Sequence, residues 1–526
     1  MEKLELLIGM LAAIAVVVTL AERTPIPEPV LLVAAGLAVA MVPGLPEVEL
    51  DPELTLALFL PPLLYWAALH TNVADLRREL RAISLLAVGL VVVTTATVAV
   101  FAHAVFGMPW AVAAVLGAIV APPDPVAAVA VGKRLRLPRR LVTILEGEGL
   151  LNDATALVLY RVAVAAAVSG SFSAGRAGVE LLLAAVGGTL VGLGVGWAGG
   201  RVLRRVEEAT VENTVKLLLP YVAWLAAERL HASGVLAVLA CGLLMTRQWG
   251  SISSAARLQA RQLWDWLVFV LEGLSFVLIG LQLRTVVGGI EGRSPAELAW
   301  AALLLNLLVI AVRLAWVYPG SWLPRRLSPR LRERDPFPGW RTVTVIGWAG
   351  MRGVVSLALA LAIPTEVAGG GPFPQRDLVV FLSFSVIVVT LVGQGLSLPL
   401  LITRLGVVEP DEDAAAGTAR AQARLSEVAL ACLDALDPEA DRVPPELLDR
   451  LRERYRARLA HLDHQRDAGG QDGAGAYAEV VSELLDAQRE ELRRLHEQGD
   501  VTPEVARRLH HDLDLEEARL ERERPG

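Results

Sequence analysis

Apolar runs of roughly 17–25 residues recur from the N-terminus to about Arg404, with polar residues gathered between them rather than within them. A run of that length crosses a hydrocarbon core of about 30 Å as a helix. A surface helix of a soluble domain would instead show an apolar stripe every three or four residues. The pattern predicts transmembrane helices near 4–21, 29–43, 53–70, 83–106, 109–131, 141–168, 178–200, 212–229, 232–246, 262–283, 295–318, 341–364 and 377–402, about thirteen in all. The opening "KLELLIGMLAAIAVVVTLAERTP" reads as the first span, because no small-residue cleavage site follows its apolar run. The expectation is an all-α, polytopic membrane protein.

Beyond Arg404 the pattern changes. Leu448, Leu451, Tyr455, Leu459 and Leu462 form a heptad-like stripe, "AGGQDGAG" (468–475) interrupts it, and Tyr477, Val480, Leu484, Gln488 and Leu495 suggest a second amphipathic helix. "GDVTPE" then supplies a helix stop, an N-cap Thr502 and Pro503 at the first helical position. Residues 405–526 are expected to form an acidic helical tail behind a transmembrane domain over 1–404. From Arg404 onward the chain carries 29 Asp+Glu against 18 Lys+Arg, a net of −11, and the rest is about +4. Packing or dimerisation is the plain reading of such a stripe. A sensor reading would draw on His461, His464, His496, His510 and His511, since histidine titrates near neutrality.

Composition agrees with the hydropathy pattern. The 526 residues are 54% hydrophobic and 20% charged, with a mean hydropathy of +0.50, which excludes an ordinary soluble domain. Aromatics are only 5%, so Ala, Val, Leu and Gly build the spans, and small residues let helices approach closely. Cys241 and Cys432 are the only cysteines, one in a span and one in the tail. They imply no disulfide framework, and nothing calls for a cofactor, a structural metal or a nucleic-acid partner. Basic loops set the orientation. One side collects "RRELR" (77–81), "KRLRLPRR" (133–140), "RVLRR" (201–205), Arg247, Arg257, Arg261 and "RRLSPRLRER" (325–334). The other has little beyond Lys3, Arg176, Arg229, Arg284, Arg293 and Arg376. The N-terminus is therefore expected outside and the tail in the cytoplasm.

Candidate chemistry lies in "EGEGLLNDATALVLYR" (146–161), in the middle of the sixth span. An ionisable group at bilayer depth costs roughly 2.5–3.5 kcal/mol on insertion scales and is functional by default. Asp153 lies roughly 18 Å into its helix at 1.5 Å per residue, near the midplane. One carboxylate there holds a proton or a small cation, and each opposes the other. Asn152 offers an amide to orient it or to ligate a dehydrated cation. Glu148 shares that face and needs a basic partner. Arg352, mid-span in "GWAGMRGVVSLALALAIP", is the expected one by depth, while Arg313 is expected to snorkel to the cytosolic interface. Arg161 and Glu272 are deep enough to need partners and are candidates for each other. In "APPDPVAAVA" (121–130), Pro122, Pro123 and Pro125 remove backbone donors in mid-span. An unwound segment is expected there, presenting Asp124 to the site. Broken helices at the midplane are typical of secondary transporters. A second break is expected in the other half, at Gly350 and Gly353 or at Gly393 and Gly395 in "TLVGQGLSLPL".

"APPDPVAAVAVGKRLRLPRRLVTILEGEGLLNDATALVLY", followed much later by "GWAGMRGVVSLALALAIP", resembles the monovalent cation:proton antiporter-1 family of sodium/proton exchangers, over the whole membrane part. The resemblance implies inverted repeats with crossed discontinuous helices, and a homodimer whose core domain rocks against a dimerisation domain. It implies Asp153 as the ion- and proton-binding carboxylate and Asn152 as its partner. It also implies Asp124 as the acid of the unwound helix and Glu148 with Arg352 as an ion pair. Two departures leave fewer side-chain oxygens than many members have. Pro123 and Gly149 stand where Thr or Ser is frequent, and Trp66 stands where an acidic residue often follows Pro-Pro in the third span. The function expected is exchange of Na+, or else K+ or Li+, for H+ across the cell membrane. It is expected to run electroneutrally and one for one, and to support intracellular pH and Na+ homeostasis. An intramembrane protease is disfavoured by the lack of its aspartate or Ser-His motifs. A receptor signalling through the tail would not need a broken helix beside buried acids. A channel would pass cations without counter-moving protons.

Overall fold

The computed structural model describes residues 2–408, apart from 22, 25, 42–51, 171–173, 207, 247–253, 289–292 and 369, and then 411–435, 444–467 and scattered positions beyond 483. The chain divides into two compact units, Met1–Val408 and Glu409–Gly526. Among the described residues there is no strand, only an isolated bridge between Glu366 and Pro372.

The first unit opens with α1 (Glu2–Ala21), α2 (Glu28–Ala40) and α3 (Pro52–His70). A continuous helix follows, made of α4 (Val73–Ser84), a π-helical turn at Leu85–Leu90 and α5 (Val91–Phe106). It begins ten residues before the expected span, because Asn72 caps it by accepting from the Ala74 and Asp75 amides, and "RRELR" forms its polar first turns rather than a loop. Next come α6 (Trp110–Val120), α7 (Pro125–Arg134), α8 (Arg139–Ser169), α9 (Ala174–Leu203), α10 (Ala209–Arg229), α11 (Gly234–Thr246), α12 (Ser254–Leu281) and α13 (Leu283–Gly288). The unit closes with α14 (Pro295–Leu327), α15 (Pro329–Arg334), α16 (Trp340–Trp348), α17 (Val354–Leu361), α18 (Arg376–Val389) and α19 (Gly395–Leu405). Among the described residues, seven helical stretches are long and apolar enough to cross a membrane, and four shorter apolar helices accompany them.

Small residues set the packing. Along α9, a side chain at Gly188 or Gly192 would collide with the backbone of Ser233 or Ala237, so α9 and α11 meet backbone to backbone, as small-residue stripes permit in lipid. The outer faces stay apolar and exposed: Leu182 is 64% exposed, Leu183 66% and Trp300 63%. A water-facing surface avoids such patches, whereas a lipid-facing wall requires them. The chain is a multi-pass membrane protein.

At the arginine-rich end, Asp335 lies between α15 and α16 and accepts from Arg81 (2.8 Å), Arg140 (2.6 Å) and Arg325 (2.7 Å). Partial burial alone would raise its pKa, but the hydrogen bonds from Arg140 and Arg325 outweigh it and hold the carboxyl below its ordinary value. Asp335 thus stays ionised through the neutral range and ties α4, α8 and α14 together.

In the second unit, α20 (Asp411–Asp434) packs on α21 (Pro445–Asp467). Leu448, Leu451, Tyr455 and Leu459 form the sheltered face of α21, and Arg452 crosses to the Asp434 carboxylate at 2.9 Å and the Leu433 carbonyl at 3.1 Å. The 468–475 break, Tyr477, Val480, Thr502 and Pro503 lie outside the described residues, as do the side chains of Leu462 and of the tail histidines.

Candidate functional site

The site is built where two interrupted helices cross. The first interruption separates α6 from α7 at Ala121–Asp124, where Pro122 and Pro123 cannot supply amides. Pro125 starts α7 at a position where a missing N–H costs nothing. Asp124 caps it, accepting from the Val126 amide at 2.9 Å. The second separates α16 from α17 at Ala349–Gly353. The Asp124 amide donates to the Met351 carbonyl at 2.7 Å, so one unwound strand binds the other. A side chain at Gly353 would overlap the Asp124 carboxyl, and one at Gly149 would overlap the Pro125 ring. The glycines of both motifs therefore make room for the crossing. Of the two expected sites for the second break, "GWAGMRG" is the interruption. Gly393 and Gly395 are not: the helix runs on from Arg376 to Leu405 with only a π-helical turn at Thr390–Gln394. The segment 390–394 contains no proline, and with its donors present it absorbs an extra residue as such a turn.

A broken helix leaves carbonyls unsatisfied and a negative dipole end at its C-terminus. Two arginines answer this. Arg352 donates from Nε to the Val120 carbonyl at 2.9 Å, from Nη2 to Ala121 at 3.4 Å and from Nη1 to Gly350, closing the end of α6. Arg313, on α14, donates from Nη2 to the Ile346 and Ala349 carbonyls, both at 3.1 Å, closing the end of α16.

Arg313 is also the partner of Glu148. Its Nη1 lies 2.6 Å from Oε1 and its Nη2 2.9 Å from Oε2, with the side chains 1% and 3% exposed. This corrects the expected pairing of Glu148 with Arg352, whose donors are spent on carbonyls. It also corrects the expected snorkelling of Arg313. The helix carrying Arg313 continues to Leu327, well past the expected end at 318, so Arg313 sits near its middle. The pairing of Arg161 with Glu272 is corrected too. Arg161 lies towards the far end of α8 and grips Glu228 of α10 with two 2.8 Å bonds, while Glu272 lies on α12, close enough to Asp124, Glu28 and Lys133 to feel their charges.

On α8, Asn152 is fully buried and donates from Nδ2 to the Pro123 carbonyl at 2.5 Å, satisfying the unwound strand. Its Oδ1 is buried without a partner. Asp153 is partly buried and near enough to Asp124 for the two charges to interact. No hydrogen bond to its carboxylate is found among the described residues. Thr390, which sequence reasoning passed over, accepts from the Arg352 amide at 3.1 Å and donates to the Val386 carbonyl at 2.6 Å. A lone threonine in an apolar run gives no signal of such a role. Trp66 stacks on Trp264 with centroids 5.5 Å apart and packs at a tilt against His70 at 3.8 Å, filling its position with an aromatic cluster.

The arrangement gathers three carboxylates, two guanidiniums and an unsatisfied amide oxygen around a crossing of unwound strands. A family model described as the transmembrane part of the sodium/hydrogen exchangers matches residues 9–404. The Na(+)/H(+) exchanger Rv2287 of Mycobacterium tuberculosis is 36% identical, over 98% of this chain and 96% of its own length. The sodium, potassium, lithium and rubidium/H(+) antiporter of Bacillus subtilis is 34% identical, over 72% of this chain and 58% of its own. Among solved structures, the sodium proton antiporter MjNhaP1 of Methanocaldococcus jannaschii shares the fold, with a TM-score of 0.59 at 21% identity over 78% of this chain and all of that one. With its membrane unit covered almost end to end, the chain belongs to the sodium/hydrogen exchanger family, which comprises cation/proton antiporters and not enzymes.

Proposed function

We propose that this antiporter exchanges one Na+ for one H+ at Asp153, by alternating access. The observation that carries the reading is the charge balance at the crossing. Glu148 neutralises Arg313 in direct contact. Arg352, directed at carbonyls, and Asp124, which caps α7, carry opposite charges and cancel in the count. Asp153 is the third carboxylate, and among the described residues no third base stands in the crossing. One proton or one monovalent cation restores neutrality, and both together would overshoot it. The buried, unpartnered Oδ1 of Asn152 supplies a second oxygen when a dehydrated cation occupies the site. With Pro123, Gly149 and Trp66 offering no further side-chain oxygen, the site is weakly selective, and K+ or Li+ are the alternatives to Na+. The B. subtilis relative is named as an antiporter of all three, which supports keeping them as alternatives. The protein works as a homodimer in the cell membrane, with the N-terminus outside, the acidic tail in the cytoplasm and a role in pH and Na+ homeostasis.

Purified protein in liposomes should move protons when Na+, K+ or Li+ is added, with at least one of the three active. If exchange is one for one, the membrane potential, worth about 2.3 kcal/mol per charge per 100 mV, contributes no driving force. With the potential clamped by potassium and valinomycin, the reversal point of Na+-driven flux should stay fixed, provided K+ is not itself carried. Cation flux without protons would mark a channel. A reversal point that moves with voltage would refute one-for-one exchange and point to Asp124 or Glu272 as a further titrating site.

A further inference from the structure

The ion cycle makes no use of the arginine cluster around Asp335, and the cluster is incomplete. Arg325 spends its donors on the Asp335 carboxylate, the Asp335 carbonyl and the Ser321 carbonyl. Arg140 bridges Asp335 and Glu79, at 2.6 Å and 2.8 Å. Arg81 reaches Asp335 through Nη2 at 2.8 Å, but its Nη1 is buried and has no partner. A charged donor withheld from water without an acceptor is costly. Three guanidiniums face two carboxylates, so one positive charge is left over.

The same three arginines stand at a groove between α4, α8, α14 and α16 whose remaining walls are mostly apolar, including Leu86, Ile144, Val317 and Val343. Its cavity volume is about 60 Å³, room for a short stretch of hydrocarbon. A cationic head beside an apolar trough on a membrane-embedded unit matches one kind of occupant. We propose that this groove binds an anionic phospholipid, its phosphate accepting from Arg81 and part of one acyl chain lying against Leu86 and Val317. A free phosphate would leave the trough unused. A zwitterionic lipid would bring its own cation to a cluster already in surplus.

The test uses the full chain, delipidated in detergent, with phosphatidylglycerol, phosphatidylcholine or inorganic phosphate added. Bound lipid is read by native mass spectrometry and stability by thermal melting. Phosphatidylglycerol should be retained and raise the melting temperature, and the other two should not. Arg81→Gln should lower retention about fivefold, the factor one basic residue is worth at an anionic surface. Gly320→Leu is the second variant. Gly320 lines the groove, and a Cβ there meets nothing within 4 Å, so a side chain can start from that position, and a leucine there should weaken retention as well. Equal retention of phosphatidylglycerol and phosphatidylcholine, or undiminished retention in both variants, would overturn the proposal. A melting shift from inorganic phosphate as large as that from phosphatidylglycerol would also overturn it, in favour of a free-anion site.

Discussion

Asp153→Asn protein should fold, insert and melt close to the unsubstituted protein, yet move no protons when a cation is added. The two halves of this expectation have separate causes. The Asp153 carboxylate makes no hydrogen bond among the described residues and is only partly buried, so an amide of equal size disturbs little packing. An amide, however, neither takes up a proton nor balances a cation, so the site loses both of its ligands at once. Proton flux into liposomes, read beside a detergent melting curve, checks both halves. Normal exchange by well-folded Asp153→Asn protein would remove Asp153 from the mechanism.

Breaking the pair of Glu148 and Arg313 should give the largest loss of stability. The two side chains are almost wholly buried and joined by two bonds. Removing one partner of such a pair leaves an uncompensated charge and typically costs about 3–5 kcal/mol. Arg313→Met should cost more than Glu148→Gln, because it also strands the Ile346 and Ala349 carbonyls at the end of α16. The double variant should lose less than the sum of the two, as coupled neighbours do. Melting of the four proteins in detergent measures the cycle. Strictly additive losses would show that the contact contributes nothing, and Glu148→Gln as costly as Arg313→Met would remove the capping role from Arg313.

The contrast between Arg313 and Arg352 shows how far the chain can be read without coordinates. The break at Ala121–Asp124 is legible because Pro122, Pro123 and Pro125 together remove three donors within four residues. The long helix through Glu148, Asn152 and Asp153 is legible because apolar residues flank it on both sides. Which arginine meets Glu148 is not legible. It depends on where α14 ends, and neither Pro319 nor Pro324 stops that helix. It depends also on which carbonyls the two breaks set free, a property of their crossing and not of either segment. The same limit governs Gly393 and Gly395. Glycine permits a break, but only missing donors or a competing strand enforce one. Arg161 found Glu228 because α10 ends beside it, a matter of packing order that hydropathy does not carry.

In the proposed cycle, the Asp153 carboxylate holds a proton or a cation, each in turn. Proton release on cation binding tests it without transport. In a weakly buffered detergent solution, below the pH at which Asp153 gives up its proton unaided, adding Na+ should release one proton for each cation bound, and the Asp153→Asn protein should release none. Cation binding with no proton released, or undiminished release from Asp153→Asn, would contradict the account.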